Sequence, residues 1–221
     1  MSRKPPFQTK QILIISEDEK SFPSYFEKIL FDRFDFKPYP KTSKKNNKVF
    51  IKTRPEAEHR DQIFVTIHYF SSNPLTIVEH GNLESKNFDK IYCVFDKRKN
   101  GVDATYKDAM GWTMKSNVTR INSVPNYEFW LILHFTDSRA GYRNDGEAIK
   151  KLEKLVRAAT GNQKFKYPKS GLPKELSKIV IEKLPDAIKR AKKIEELNRQ
   201  DGSTEPFTKI YQLMEDFQNN F

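Results

Sequence analysis

Four short strand-like segments, each followed by a segment of helical spacing, restrict what this chain can fold into more than any other feature. Gln11-Ile-Leu-Ile-Ile15 is an apolar run of the kind a strand buried on both faces shows, Ile63 to His68 alternates β-branched and aromatic residues, and Ile91-Tyr-Cys-Val-Phe95 and Val118 to Val124 read as a third and a fourth strand. Phe22, Tyr25, Phe26, Ile29 and Leu30 recur at helical spacing after the first run, with a Ser21 cap and Pro23 in the first turn. Ser71-Ser-Asn-Pro74 opens a second helix through about Lys86, residues 103 to 115 make a third, and Tyr127 to Thr136 a fourth. Strands alternating with helices predict a parallel sheet joined by crossovers.

From Asp137 onward no strand is expected. Ala148 to Ala159, Lys174 to Asn198 and Pro206 to Gln218 read as helices, with Pro185 breaking or bending the middle one. Residues 37 to 60 carry Pro38, Pro40 and Pro55 among lysines and asparagines, and read as a basic loop or weak insertion. The expected architecture is α/β: a parallel sheet of about four strands flanked by helices over residues 1–136. A basic helical extension over 137–221 packs on it.

Charge is unevenly spread along the 221 residues, which hold 40 Lys+Arg against 29 Asp+Glu for a net +11. Residues 37–60 hold eight basic and two acidic residues, and 150–200 hold fifteen and six. Clustered cations reward a polyanionic partner through counterion release, and nucleic acid is the one expected. The 17 Phe and 9 Tyr supply enough bulk for a core, which sets the chain apart from charge-rich disordered sequences.

Phe129 to Phe135, the longest mostly apolar stretch, is far short of the ~20 residues of a membrane helix, and no secretory signal is visible. A single cysteine, Cys93, excludes an internal disulfide framework and a cysteine-rich zinc site. The chain therefore reads as cytoplasmic. It contains no Walker-type phosphate loop, Gly-x-Ser-x-Gly elbow or His-Glu-x-x-His.

Ligands of open parallel sheets bind outside the carboxyl ends of the strands. The first strand runs into Ser16-Glu17-Asp18-Glu19 and the third into Asp96-Lys97-Arg98, so Glu17 and Asp96 fall on one edge of the sheet. Two carboxylates there are able to share a divalent cation such as Mg²⁺ (or Mn²⁺) with water and a substrate phosphate. Acids after strands also cap helices, and that plainer role stands beside the catalytic one. Lys97, Arg98 and Lys99 put cations beside Asp96, and Ser72-Asn73-Pro74 opens a helix at the same edge, where backbone N–H groups bind phosphate. Glu128, among apolar residues, either faces this site or caps its helix. His134 reads as a core residue, Trp130 as core, and Cys93 as a small buried hydrophobe.

These residues also carry a family resemblance. Ile12-Leu-Ile-Ile-Ser-Glu-Asp-Glu-Lys20 with Pro23-Ser-Tyr-Phe26 resembles the opening motif of the RloB-like family, a branch of the Toprim fold, in which an apolar strand leads into Cys-Glu-Gly-Glu-Lys-Thr-Glu-Pro-x-Tyr-Phe. Ser72-Asn-Pro-Leu75 and Ile91-Tyr-Cys-Val-Phe-Asp96 match in order. Pro125-Asn-Tyr-Glu-Phe-Trp-Leu-Ile-Leu-His-Phe135 is similar to the family's Asn-Pro-x-Phe-Glu-Leu-Trp-Leu-Leu-Leu-His-Phe block. Ser203 to Thr208 is a weaker echo.

The resemblance implies a Mg²⁺-dependent Toprim nuclease of a bacterial anti-phage, abortive-infection system. It would act as a toxic effector on RNA, tRNA included, or DNA, under control of a P-loop ATPase of the ABC or SMC-like kind. By the same resemblance Glu17 takes the general acid/base position and Asp96 the first metal-ligand position.

The chain departs from the pattern where the second aspartate of Asp-x-Asp becomes Arg98 and the glycine after the glutamate becomes Asp18. Three readings stand. Asp18, Glu19 or Asp103 supplies the missing ligand; Arg98 clamps a phosphate directly, as its fork suits it to do; or the site is silent and the module binds nucleic acid or the ATPase as sensor or adaptor.

Overall fold

The computed structural model describes residues 9–39, 47–53, 62–69, 72–97, 104–142, 144–168 and 170–221. In these the chain runs β1 (Thr9–Ser16), α1 (Ser21–Asp32), β2 (Lys37–Pro38), β3 (Asn47–Thr53), β4 (Gln62–Tyr69), α2 (Pro74–Leu83), a 3₁₀ turn (Glu84–Lys86), β5 (Lys90–Asp96), α3 (Ala104–Gly111) and β6 (Val118–Val124). It continues with α4 (Tyr127–Leu133), α5 (Asp145–Thr160), α6 (Lys174–Glu182), α7 (Leu184–Asp201), β7 (Phe207–Thr208) and α8 (Ile210–Asn220).

One sheet holds all the strands in the order β2-β3-β4-β1-β5-β6-β7. Its centre, β4-β1-β5-β6, is parallel, and these are the four strands the sequence predicts. The sheet is nevertheless larger and mixed. Residues 37–60, expected as a loop, contribute β2 and β3, which pair antiparallel with each other and with β4. The stretch after Asp137, expected to lack strands, contributes β7, antiparallel to β6.

Side chains of β1 alternate between two cores, as the strand period of two requires. Ile12 and Ile14 face a large cluster with α1, α4 and α5 to α8, whereas Leu13 and Ile15 face a smaller one with α2 and α3. β5 does the same, with Tyr92 and Val94 on one side and Ile91, Cys93 and Phe95 on the other. Burial on both faces is why these strands read as unbroken apolar runs.

Helix α2 lies so close to the sheet that a Cβ on Gly81 would stand 2.5 Å from Cys93 Sγ. Pro185 lies in the first turn of α7, where the missing N–H costs nothing, and the predicted 174–198 helix is two helices meeting at Lys183. Phe217 of α8 meets the rings of Phe26, Phe34, Phe36 and Tyr92, tying the last helix to α1 and β5. Among the described residues, no helix is long and apolar enough to cross a membrane.

Candidate active site

At the carboxyl edge of the parallel strands, β1 and β5 deliver their terminal acids side by side. The Glu17 N–H donates to the Val94 carbonyl (3.2 Å), continuing the β1–β5 ladder one step past the strand. In return the Asp96 N–H donates to Glu17 Oε1 at 2.8 Å, so backbone fixes the orientation of the glutamate. Asp96 Oδ2 accepts the Tyr127 N–H (2.9 Å) from the first turn of α4, whose partial positive charge favours a carboxylate.

A cavity of about 170 Å³ opens here, and Glu17, Asp18, Asp96, Glu128 and Asp145 all line it. Two helix starts bring in the last two acids. Asn126 caps α4 by accepting the Phe129 N–H (3.3 Å) and uses its amide to hold Asp145 Oδ1 at 2.8 Å. Asn144 caps α5 by accepting the Glu147 N–H (3.1 Å), which sets Asp145 at the first helical position.

Glu17 and Glu128 are buried, at 9 % and 6 % exposure. The crowding shows in Asp96, whose carboxyl is held well above the usual carboxylate range. Withdrawal from bulk water is the largest cause, followed by the charges of Glu17 and Glu128, against the Tyr127 N–H, which favours the anion.

The sequence-predicted residues separate into three groups. Glu17, Asp96, Asp18 and Glu128 come together in the cavity. Asp18, however, spends both oxygens on backbone: Oδ1 accepts from the Lys20 N–H (3.0 Å) and Oδ2 from the Phe22 N–H (2.7 Å), capping α1. Glu19 is exposed and Asn73 serves as the cap of α2, accepting the Thr76 N–H at 3.1 Å; neither these nor Ser72 line the cavity. Lys97 turns to an ion pair with Glu205 and lies over the Tyr106 ring. Arg98, Lys99 and Asp103 lie outside the described residues.

Asp145, an acid of the cavity, and Asn126, which holds it, are among the groups that sequence reasoning did not single out as candidates. Asn144-x-x-Glu147, a capping-box pattern, was the available signal for where α5 begins.

Hard oxygen donors of this kind suit Mg²⁺, which keeps several waters and takes one or two protein carboxylates, so Glu17 and Asp96 fit as its holders. Among the described residues no group of three His, Cys, Asp or Glu stands ready-made for a metal ion.

Outside the cavity the plainer readings hold. Trp130 is fully buried, and Cys93 is buried with its thiol donating to the Ile77 carbonyl. His134 packs between Trp130 and Tyr25.

Fold and cavity together define a class: an α/β protein that gathers carboxylates where the central parallel strands end. Within that class the chain belongs to the RloB-like protein family, whose model matches residues 12–217. No curated protein matches the chain.

Proposed function

We propose that the chain is a Mg²⁺-dependent nuclease of Toprim type, the effector of an anti-phage defence system that cleaves RNA, tRNA included, or DNA under control of a P-loop ATPase. The observation that carries this reading is the convergence of Glu17 and Asp96, with Glu128 and Asp145, on one cavity at the strand ends. A carboxylate-lined cavity suits phosphodiester hydrolysis once a divalent cation offsets its charge. Glu17 and Asp96 would hold the ion. When bound, it would neutralise charge building on the phosphate oxygens.

The chain's own residues do the rest. Glu17, oriented by the Asp96 N–H, receives or returns the proton of the attacking water. Asp96, pinned by Tyr127, keeps its carboxylate facing the same space. The basic helices from Lys150 onward hold the polyanion outside it.

A second reading rests on Asp18. Because it is engaged in capping α1, and Arg98 stands where the family pattern has its second aspartate, the module would be a silent binder of nucleic acid or of the ATPase.

Calorimetric titration of Mg²⁺ and Mn²⁺ into wild type and Asp96→Asn, followed by incubation with total tRNA and plasmid, separates the two. Metal binding lost in Asp96→Asn, with cleavage in wild type that falls about 10²–10⁴-fold in Glu17→Gln, is the expected result. No specific metal binding by wild type would sink the nuclease reading and leave the silent module.

A further inference from the structure

One short segment, Phe207–Tyr211, walls two cavities. Ile210 lines the carboxylate cavity, whereas Phe207, Lys209 and Tyr211 line a second, larger one of about 590 Å³ against α7. Between them the segment is pinned to the sheet. The Thr208 and Ser123 hydroxyls bond at 2.8 Å, and the Lys209 N–H donates to the Asn122 carbonyl at 2.9 Å.

Phe207, in the lining of the second cavity, pairs with Val124 at the carboxyl end of β6. Ser203 and Thr204 rim the second, and the next residue, Glu205, pairs with Lys97, the residue directly after Asp96. The two cavities are thus separated by this one segment.

The groove's chemistry matches a nucleotide. Lys192, Arg199 and Lys209 supply cations, the half-buried Phe207 a ring, and Ser203 and Thr204 hydroxyls. Its volume falls within the range of about 300–1,000 Å³ that small-ligand sites occupy. Each cation already has a carboxylate partner, Glu215 for Lys192 (2.9 Å), Glu196 for Arg199 and Glu195 for Lys209, and Glu195 and Glu196 line the groove as well. The Lys192 and Arg199 side chains are 55 % and 77 % exposed, and ion pairs so wet are worth little. A phosphate competes well for such cations, because charge-assisted bonds to it are among the stronger ones.

We infer that this groove is the subsite for the nucleotide flanking the scissile phosphodiester, and that it selects single-stranded nucleic acid. The inference rests on the nuclease reading above and names its substrate class. Lys192 and Arg199 take the backbone, and Phe207 offers a ring to an unstacked base. A base held in a duplex is stacked on both faces and has none to offer.

The test is fluorescence anisotropy with metal-free Glu17→Gln protein, so that nothing is cut. The probes are a labelled single-stranded RNA, the same sequence as DNA, and a blunt duplex. Single strands are expected to bind more tightly than the duplex, and comparison of the RNA and DNA arms identifies the sugar. Lys192→Ala with Arg199→Ala, both on the exposed face of α7, should weaken single-strand binding about tenfold. The same pair should make the salt slope shallower by about 1.4, as two lost phosphate contacts require. Phe207→Leu, which keeps apolar bulk, should weaken it by roughly fivefold through lost stacking.

Unchanged single-strand binding in these variants overturns the groove and leaves the nuclease reading standing. Preference for the duplex also overturns it. Failure of the parent protein to bind any of the three probes overturns the nuclease reading and the groove together.

Discussion

Asp96 shows how a single residue is placed under two opposed demands. Its neighbours push the proton onto it while the Tyr127 N–H draws the anion, a balance that a bound cation would tip towards the charged form. His134 shows the opposite case, a titratable group with no part in the cavity. Nδ1 meets the Trp130 carbonyl at 3.1 Å and therefore carries the proton, which leaves Nε2 to accept from Tyr25 O–H at 3.4 Å. Burial pushes the imidazole down from 6.5 to about 3, so the folded protein keeps it neutral where the unfolded chain protonates it. The unfolded state then binds more protons below pH 6.5, and stability is lost as pH falls from there towards 3. The loss attributable to this residue is about 1.4 kcal/mol per pH unit at most. Urea unfolding from pH 7 to 4.5 should show the gap between wild type and His134→Gln narrowing as the medium is acidified. A constant gap would mean that His134 does not titrate across the transition. Sequence placed His134 in the core correctly, since it stands inside an apolar block. Sequence had no means of showing that Asp18 is a cap, because a capping acid and a metal-binding acid look alike until the N–H donors around them are known.

At the scale of elements, α2 is held against the sheet by the absence of a side chain. Adding a Cβ at Gly81 brings it against Cys93 Sγ and to 3.2 Å from a Val118 methyl, and both belong to strands that cannot retreat. Gly81→Ala is expected to destabilise the fold by about 1–3 kcal/mol despite its better helix propensity. Cys93→Ala clears the nearest obstacle, so in the double variant part of that loss should return. Denaturation midpoints of the two single variants and the double variant measure this coupling, and strict additivity would refute the packing account.

The legibility of elements follows from how they are buried. β1 and β5 were plain because both their faces are covered, and β4 because its residues alternate between a buried and a half-buried face. β3 was hidden because Asn47, Lys48, Lys52 and Thr53 surround its apolar Val49-Phe-Ile51 centre, so composition reads as loop while pairing with β4 makes it strand. β7 has two residues, too few to show a period, and exists only through β6. Asp145 escaped for a related reason: Asn126 brings it to the cavity by a contact between two helix starts, and nothing in the local sequence marks that meeting.

For the molecule as a whole, the large core depends on its last helix. Phe217 is 1 % exposed and touches rings from α1, the segment leading to β2, and β5. Phe217→Ala should cost about 3–5 kcal/mol, a large part of the stability of a domain this size. Thermal melting followed by circular dichroism would show it as a broad, early transition or none. An unchanged melting temperature would contradict the packing described.

Helix α8 also has a bearing on when the molecule is able to act. Ile210, which lines the carboxylate cavity, and Phe217, which completes the core, belong to the same eleven-residue helix. During synthesis, strands β1 to β6 leave the ribosome well before it does, and domains fold as units only when their parts are present. A chain stalled before α8 has neither a sealed core nor a finished cavity. Whatever chemistry the cavity performs therefore waits for the final turn of synthesis, and a partly made copy stays inert.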